Sequence, residues 1–170
     1  MKAGRPWRRS LRMPKERRVT VVLAGLTLLV LVLSVPGSLR ETFDRGGLYV
    51  FSQAFLDDIP KRLAGPGRFR FVLQPMVAII LGVLGGLADV RAGRTPYLSS
   101  LILHRDQRRG LLKSGFETVL NLLLVGILLD AIFQWVILGN SHPGAALVVG
   151  PVLILLPYTV ARTLSGRLMR

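Results

Sequence analysis

Apolar residues in this chain fall into four long runs, with the charged residues gathered between them. The runs are Val19 to Val35, Phe71 to Ala88, Thr118 to Leu138 and Gly144 to Ala161. A bilayer crossing takes about 20 predominantly apolar residues, with roughly 17 as a lower bound. Backbone amides in hydrocarbon must be satisfied within their own segment, so each run predicts a helix. The expected fold class is therefore all-α integral membrane: four transmembrane helices in one domain over 19–170, preceded by a basic tail over 1–18.

Shorter patterns lie between the spans. Leu48, Phe51, Phe55 and Ile59 recur at helical spacing, with Leu56 and Leu63 widening the stripe. This predicts an amphipathic helix over about 47–63, bent or ended at Pro60, lying on the outer membrane surface or packed across the bundle as a lid. A second in-plane helix is expected over about 97–113. There Leu98, Leu101, Ile102 and Leu103 precede Arg105, Arg108, Arg109 and Lys113.

The charge distribution sets an orientation. Eight Lys and Arg precede the first span, six lie between Asp89 and Glu117, and three follow Ala161, so seventeen of 23 share one side. The loop after the first span carries six cations beside four acids, and the turn from Gly139 to Pro143 carries none. Cationic loops stay cytoplasmic, which puts both termini inside, in a bacterial or organellar inner membrane. A signal peptide ending near Ser34 to Ser38 is the rival reading of the first run. Its eighteen-residue basic leader and Pro36 at the cleavage position favour a retained anchor. Arg8 and Arg9 resemble a twin-arginine signal, a pairing expected by chance in so basic a tail.

Composition adds less. The net charge of +14 would suggest nucleic acid in a soluble protein, but no aromatic-interleaved basic stripe or nucleic-acid motif accompanies it. Attraction to anionic headgroups, about 1 kcal/mol per basic residue near the surface, accounts for it instead. With no cysteine there are no disulfides or thiolate sites. His104-Arg105-Asp106 imitates a kinase catalytic loop, but Leu111 stands where Asn is needed. Asp89 with Arg91 lacks the further spaced acids of a metal-dependent phosphoalcohol transferase. His104 and His142 are expected on opposite membrane faces, so they do not share a metal. No cofactor, no metal and no catalysis are expected.

Three features remain inside the spans. Ala78, Gly82 and Gly86 form a small-residue stripe that predicts close helix packing, within the chain or in a dimer. Gly85 broadens that face. Asp130 is a carboxyl in the outer half of its span, and such groups mark either interhelical contacts or ion and substrate paths. Gln134 follows one turn later. Gln74 enters from the preceding span near the outer surface, with Arg70 above it, so Asp130 is expected to pair with Arg70 or to bond Gln74 and Gln134. Pro75, Pro151 and Pro157 predict kinks.

The stretch Arg70 to Tyr97, with Gln74-Pro75, Leu81-Gly82, Gly86, Asp89, Arg91 and Gly93-Arg94-Thr95-Pro96-Tyr97, resembles small uncharacterised bacterial inner-membrane proteins. That family has no established activity, so the resemblance implies fold and location only. Together these features predict a non-enzymatic accessory or scaffold subunit that packs on a membrane partner, or on itself, through Ala78, Gly82 and Gly86. A small transporter or channel component using Asp130, Gln134 and Gln74 is the alternative. A lipid-handling or envelope-maintenance protein is a third. Expected partners are membrane lipids, including anionic headgroups, and no nucleic acid.

Overall fold

The computed structural model describes residues 15–50, 52–95, 97–103 and 108–169. Among them are six helices and no strand: α1 (Lys15–Arg45), α2 (Gln53–Ala64), α3 (Arg70–Arg91), α4 (Tyr97–Leu103), α5 (Arg108–Leu138) and α6 (Pro143–Leu168). Four of these, α1, α3, α5 and α6, are long and apolar enough to cross a membrane.

Each long helix outruns the apolar stretch that predicts it. α1 has 31 residues, about 46 Å at 1.5 Å per residue, against a hydrocarbon thickness of about 30 Å. It continues through Pro36, where the apolar run stops. α5, also 31 residues, begins ten residues before Thr118. Hydropathy marks where a helix is apolar. The amide ladder continues into polar sequence, and in α1 past Pro36, which removes only its own amide donor.

The shorter helix expected before the second span starts later than its stripe. The first helix spans Gln53–Ala64 rather than 47–63 and runs through Pro60. Its start is fixed by Ser52, whose hydroxyl oxygen accepts from the Phe55 amide at 3.3 Å. Where the second is expected, α4 covers Tyr97–Leu103, and Arg108, Arg109 and Lys113 belong to the first turns of α5; residues 104–107 between them lie outside the described residues. Phe51, Pro96, His104, Arg105 and the first fourteen residues lie outside the described set.

The core is an α3–α5–α6 bundle centred on Ala78, Val119, Leu123, Ile127, Ala131, Ile154 and Tyr158. Small residues bring the backbones together. A Cβ added at Gly82 would lie 2.5 Å from the Tyr158 carbonyl oxygen, and one at Gly86 would overlap the Ser165 hydroxyl. Ala78 is completely buried. The Ala78/Gly82/Gly86 stripe is thus consumed by α6 of the same chain, so it is not the surface that meets a partner. Gly150 of α6 meets α5 in the same way, a Cβ there reaching 3.0 Å from the Ile127 amide nitrogen.

α1 lies against this bundle through a heptad of hydroxyls. Thr20, Thr27 and Ser34 are the polar members of its apolar run, and they fall seven residues apart. Thr20 meets Asn121 at 2.8 Å, Thr27 donates to the Leu23 and Leu124 carbonyls, and Ser34 is buried and donates to Val30. Each hydroxyl also lies within hydrogen-bond distance of the carbonyl four residues earlier in its own helix, so no donor is stranded in apolar surroundings.

Candidate functional site

The centre of the candidate site is Asp130, whose side chain is 1% exposed. Three donors surround it. Arg70 Nη2 at the start of α3 lies 2.5 Å from Oδ1, Gln134 Nε2 donates to Oδ2 at 2.6 Å, and Arg62 Nη1 of α2 approaches Oδ2 at 3.4 Å. Gln134 is one turn beyond Asp130 on α5, so the two side chains share a face. Its other amide atom accepts from the His142 backbone N–H at 2.9 Å, which ties the α5–α6 turn to the cluster.

Tyr49, Asp58, Lys61 and His142 close over this cluster. Arg62 Nη2 donates to the Tyr49 hydroxyl at 3.2 Å, and that hydroxyl donates to Asp58 at 2.7 Å. Lys61 holds Asp58 from the solvent side at 2.6 Å. The Tyr49 ring stacks on His142 at 3.6 Å, while His142 Nε2 lies 3.3 Å from Glu41. Asn140 donates to the same Glu41 carboxylate at 2.7 Å, which pins the end of α1 to the α5–α6 turn. Burial, with the hydrogen bond to Asp58, pushes the Tyr49 hydroxyl up to about 12. Burial raises Asp58, but Lys61 and Tyr49 outweigh it and hold the carboxyl below its ordinary value.

Arg70 and Gln134 meet Asp130 as expected; Gln74 does not. Gln74 is buried, yet neither its amide oxygen nor its nitrogen has a hydrogen-bond partner, and Arg70 Nη1 is likewise unpartnered. Arg70 is instead flanked by the Phe71 and Phe133 rings, at 4.7 and 5.5 Å from its guanidinium carbon. Gly67 makes this corner possible. Its φ of +87° suits glycine, and a Cβ there would strike the Phe133 ring.

Arg62 escapes the hydropathy pattern because it sits off the apolar stripe of α2, where a charged side chain is ordinarily solvated. The stripe itself divides. Phe55 turns inward with Arg62, seven residues apart, whereas Leu56, Ile59 and Leu63 stay exposed.

A second buried ion pair lies at the opposite end of the bundle, and it too escapes the pattern. Arg162 of α6 grips Asp89 of α3 with Nε and Nη2 at 2.7 and 3.0 Å. Its third nitrogen donates to the Tyr158 hydroxyl at 2.8 Å, and its guanidinium lies 4.3 Å from the Tyr97 ring centre. Arg94, largely exposed, approaches Asp89 at 3.5 Å. By sequence, Asp89 and Arg162 are span-edge charges that serve topology; in the fold both are 3% exposed and bind each other.

No protein-family model, curated protein or solved structure matches the chain. Among the described residues, no group of three or more His, Cys, Asp and Glu is placed to hold a metal ion. At Asp130 a single carboxylate faces two guanidinium groups and joins α2, α3 and α5.

Proposed function

We propose that the chain is a non-enzymatic, multi-pass protein of a bacterial cytoplasmic membrane, both termini cytoplasmic, acting as an accessory or scaffold subunit. One observation carries this reading. The intramembrane carboxylate is engaged by Arg70, Arg62 and Gln134, and α2 lies over it. An ion or substrate path needs a carboxyl that exchanges partners; a fully engaged one fixes helices.

Other features support the same arrangement. The end of the bundle bearing Lys15, Arg18, Arg91, Arg109 and Lys113 is the basic one, consistent with a cytoplasmic face. α2 then lies on the outer surface, dipping Leu56, Ile59 and Leu63 toward lipid while Phe55 and Arg62 seal the bundle. α4 does the same on the inner surface with Leu98 and Ile102.

With the glycine stripe of α3 occupied by α6, we place the partner on the outward face of α1, the least buried of the four long helices. Val22, Leu26, Leu29 and Leu33 line it at helical spacing, and all are exposed. Purification of the tagged protein from native membranes in mild detergent, with mass spectrometry of the eluate, tests the proposal. The expected result is one partner in stoichiometric amount, released by the paired substitutions Leu26→Trp and Leu29→Trp. Recovery of the chain alone overturns it.

A further inference from the structure

A lateral groove runs between α3 and α5, with a volume of about 460 Å³. Leu73, Val77, Leu122, Val125 and Leu129 form its apolar walls, and Phe69 and Phe133 stand at its mouth. From Phe133 to Leu122 it follows α5 for eleven residues, about 17 Å at helical rise. That is roughly half of a 30 Å hydrocarbon core, the depth of one leaflet.

The groove is not purely apolar. Arg70 and Gln74 also line it, and both carry buried groups without a hydrogen-bond partner, Arg70 Nη1 and both atoms of the Gln74 amide; Arg62 Nε and Ser141 Oγ, outside the groove, are unpartnered as well. Each side chain is at least nine-tenths buried. Burying a polar atom without a partner is unfavourable, more so for a charged group, so these atoms mark a place where a ligand supplies what the protein does not. Charge points the same way. Two buried guanidinium groups face one buried carboxylate, leaving an excess positive charge beside the groove. Arg68, exposed, sits at the mouth with its guanidinium 5.6 Å from the Phe69 ring centre.

We propose that the α3–α5 groove is a binding site for one anionic phospholipid, its acyl chain along Leu73, Val77, Val125 and Leu129 and its phosphate at Arg68 and Arg70. The Gln74 amide meets the ester region, where one oxygen and one nitrogen can each find a partner. Phe69 and Phe133 frame the interfacial level at which headgroup gives way to chain. The site is independent of the accessory role, since it lies on α3 and α5 rather than on the outward face of α1.

Native mass spectrometry of the full chain in detergent, with phosphatidylglycerol or phosphatidylcholine added, tests the site. The expected result is one phosphatidylglycerol retained per chain at about tenfold lower lipid concentration than phosphatidylcholine. Val125→Trp, which fills the groove, should abolish retention of either lipid. Arg68→Gln should remove the preference for phosphatidylglycerol while leaving residual retention. Both variants spare Arg70, whose pairing with Asp130 holds the bundle together, and circular dichroism should report unchanged helix content. Equal retention of the two phospholipids, or retention insensitive to Val125→Trp, overturns the proposal. So does displacement of bound phosphatidylglycerol by an equimolar fatty acid. Since the chain has no cysteine, Val77→Cys supplies a separate check: efficient disulfide dimerisation in membranes would show the groove covered by a second copy, and would also overturn it.

Discussion

Arg62 and Asp130 stand 68 residues apart in the chain and meet at 3.4 Å in the interior, with side chains 2% and 1% exposed. An amphipathic surface helix thereby becomes a structural part of the bundle. Phe55 supplies apolar contact beside Tyr49 and Ala145, while Arg62 supplies a charge that the buried carboxylate requires. Whatever loosens Asp130 should therefore loosen α2.

Neutralising the carboxylate gives the first expectation. Asp130→Asn leaves Arg62 and Arg70 buried without a counter-charge, and losing one partner of a buried pair costs about 3–5 kcal/mol. Thermal denaturation in detergent should show a large drop in midpoint, and limited proteolysis should cut sooner between α2 and α3. Adding Arg70→Gln to Asp130→Asn should recover part of the loss, because the two changes share one interaction. Additive losses in that double-mutant cycle would count against the pairing.

Gly82 yields the second. A Cβ there would lie 2.5 Å from the Tyr158 carbonyl oxygen, so a larger side chain must push α3 from α6 rather than displace a flexible neighbour. Gly82→Leu should destabilise by at least the 1–3 kcal/mol typical of overpacking. The readout is the denaturation midpoint of the purified monomer. An unchanged midpoint with loss of a co-purifying protein would instead place the stripe at an external interface.

The cap over Asp130 gives the third, through pH. Asp58 has its carboxyl held low, so its contribution is present above the ordinary value of 3.8 and fades as pH falls through the lowered one. Tyr49 has its hydroxyl raised to about 12, so its contribution is full below 10 and fades as pH rises through about 12. The cap should be tightest between those limits. Hydrogen exchange of the α2 amides, followed against pH, should show protection falling at both ends. Absorbance near 295 nm, as wild type minus Tyr49→Phe, should place the Tyr49 titration near 12. A Tyr49 midpoint near 10 would mean an open cap.

The helices were legible in the sequence because hydrocarbon allows one local solution for a long apolar run. Arg70, Asp130 and Gln134 were legible because a polar group inside such a run needs company at the same depth. Arg62 and Asp89 were not, since a charge outside a run is ordinarily solvated and no periodicity says otherwise. The spent glycine stripe shows a different limit. Ala78, Gly82 and Gly86 announce a close contact, but spacing on one helix carries no information about which helix, or whose, fills it. The contact made by Thr20, Thr27 and Ser34 emerges only in the fold, because hydroxyls that bond their own helix are tolerated in an apolar run and need signal no neighbour.

The Asp89–Arg162 pair sets the last expectation, and its geometry predicts an asymmetry between two variants. Arg162 uses the planar fork of its guanidinium to hold both oxygens of Asp89, and spends its third nitrogen on Tyr158. Lysine keeps the charge but loses the fork and the stacking on Tyr97. Arg162→Lys should thus lower the denaturation midpoint moderately, because Asp89 retains one ammonium partner with Arg94 nearby. Asp89→Asn should lower it more, because the buried guanidinium then has no counter-charge within the bundle. Hydrogen exchange at the end of α6 should accelerate in the same order. If Arg162→Lys proves the more damaging of the two, the clamp depends chiefly on the contacts of Arg162 with Tyr97 and Tyr158, and the ion pair with Asp89 is secondary.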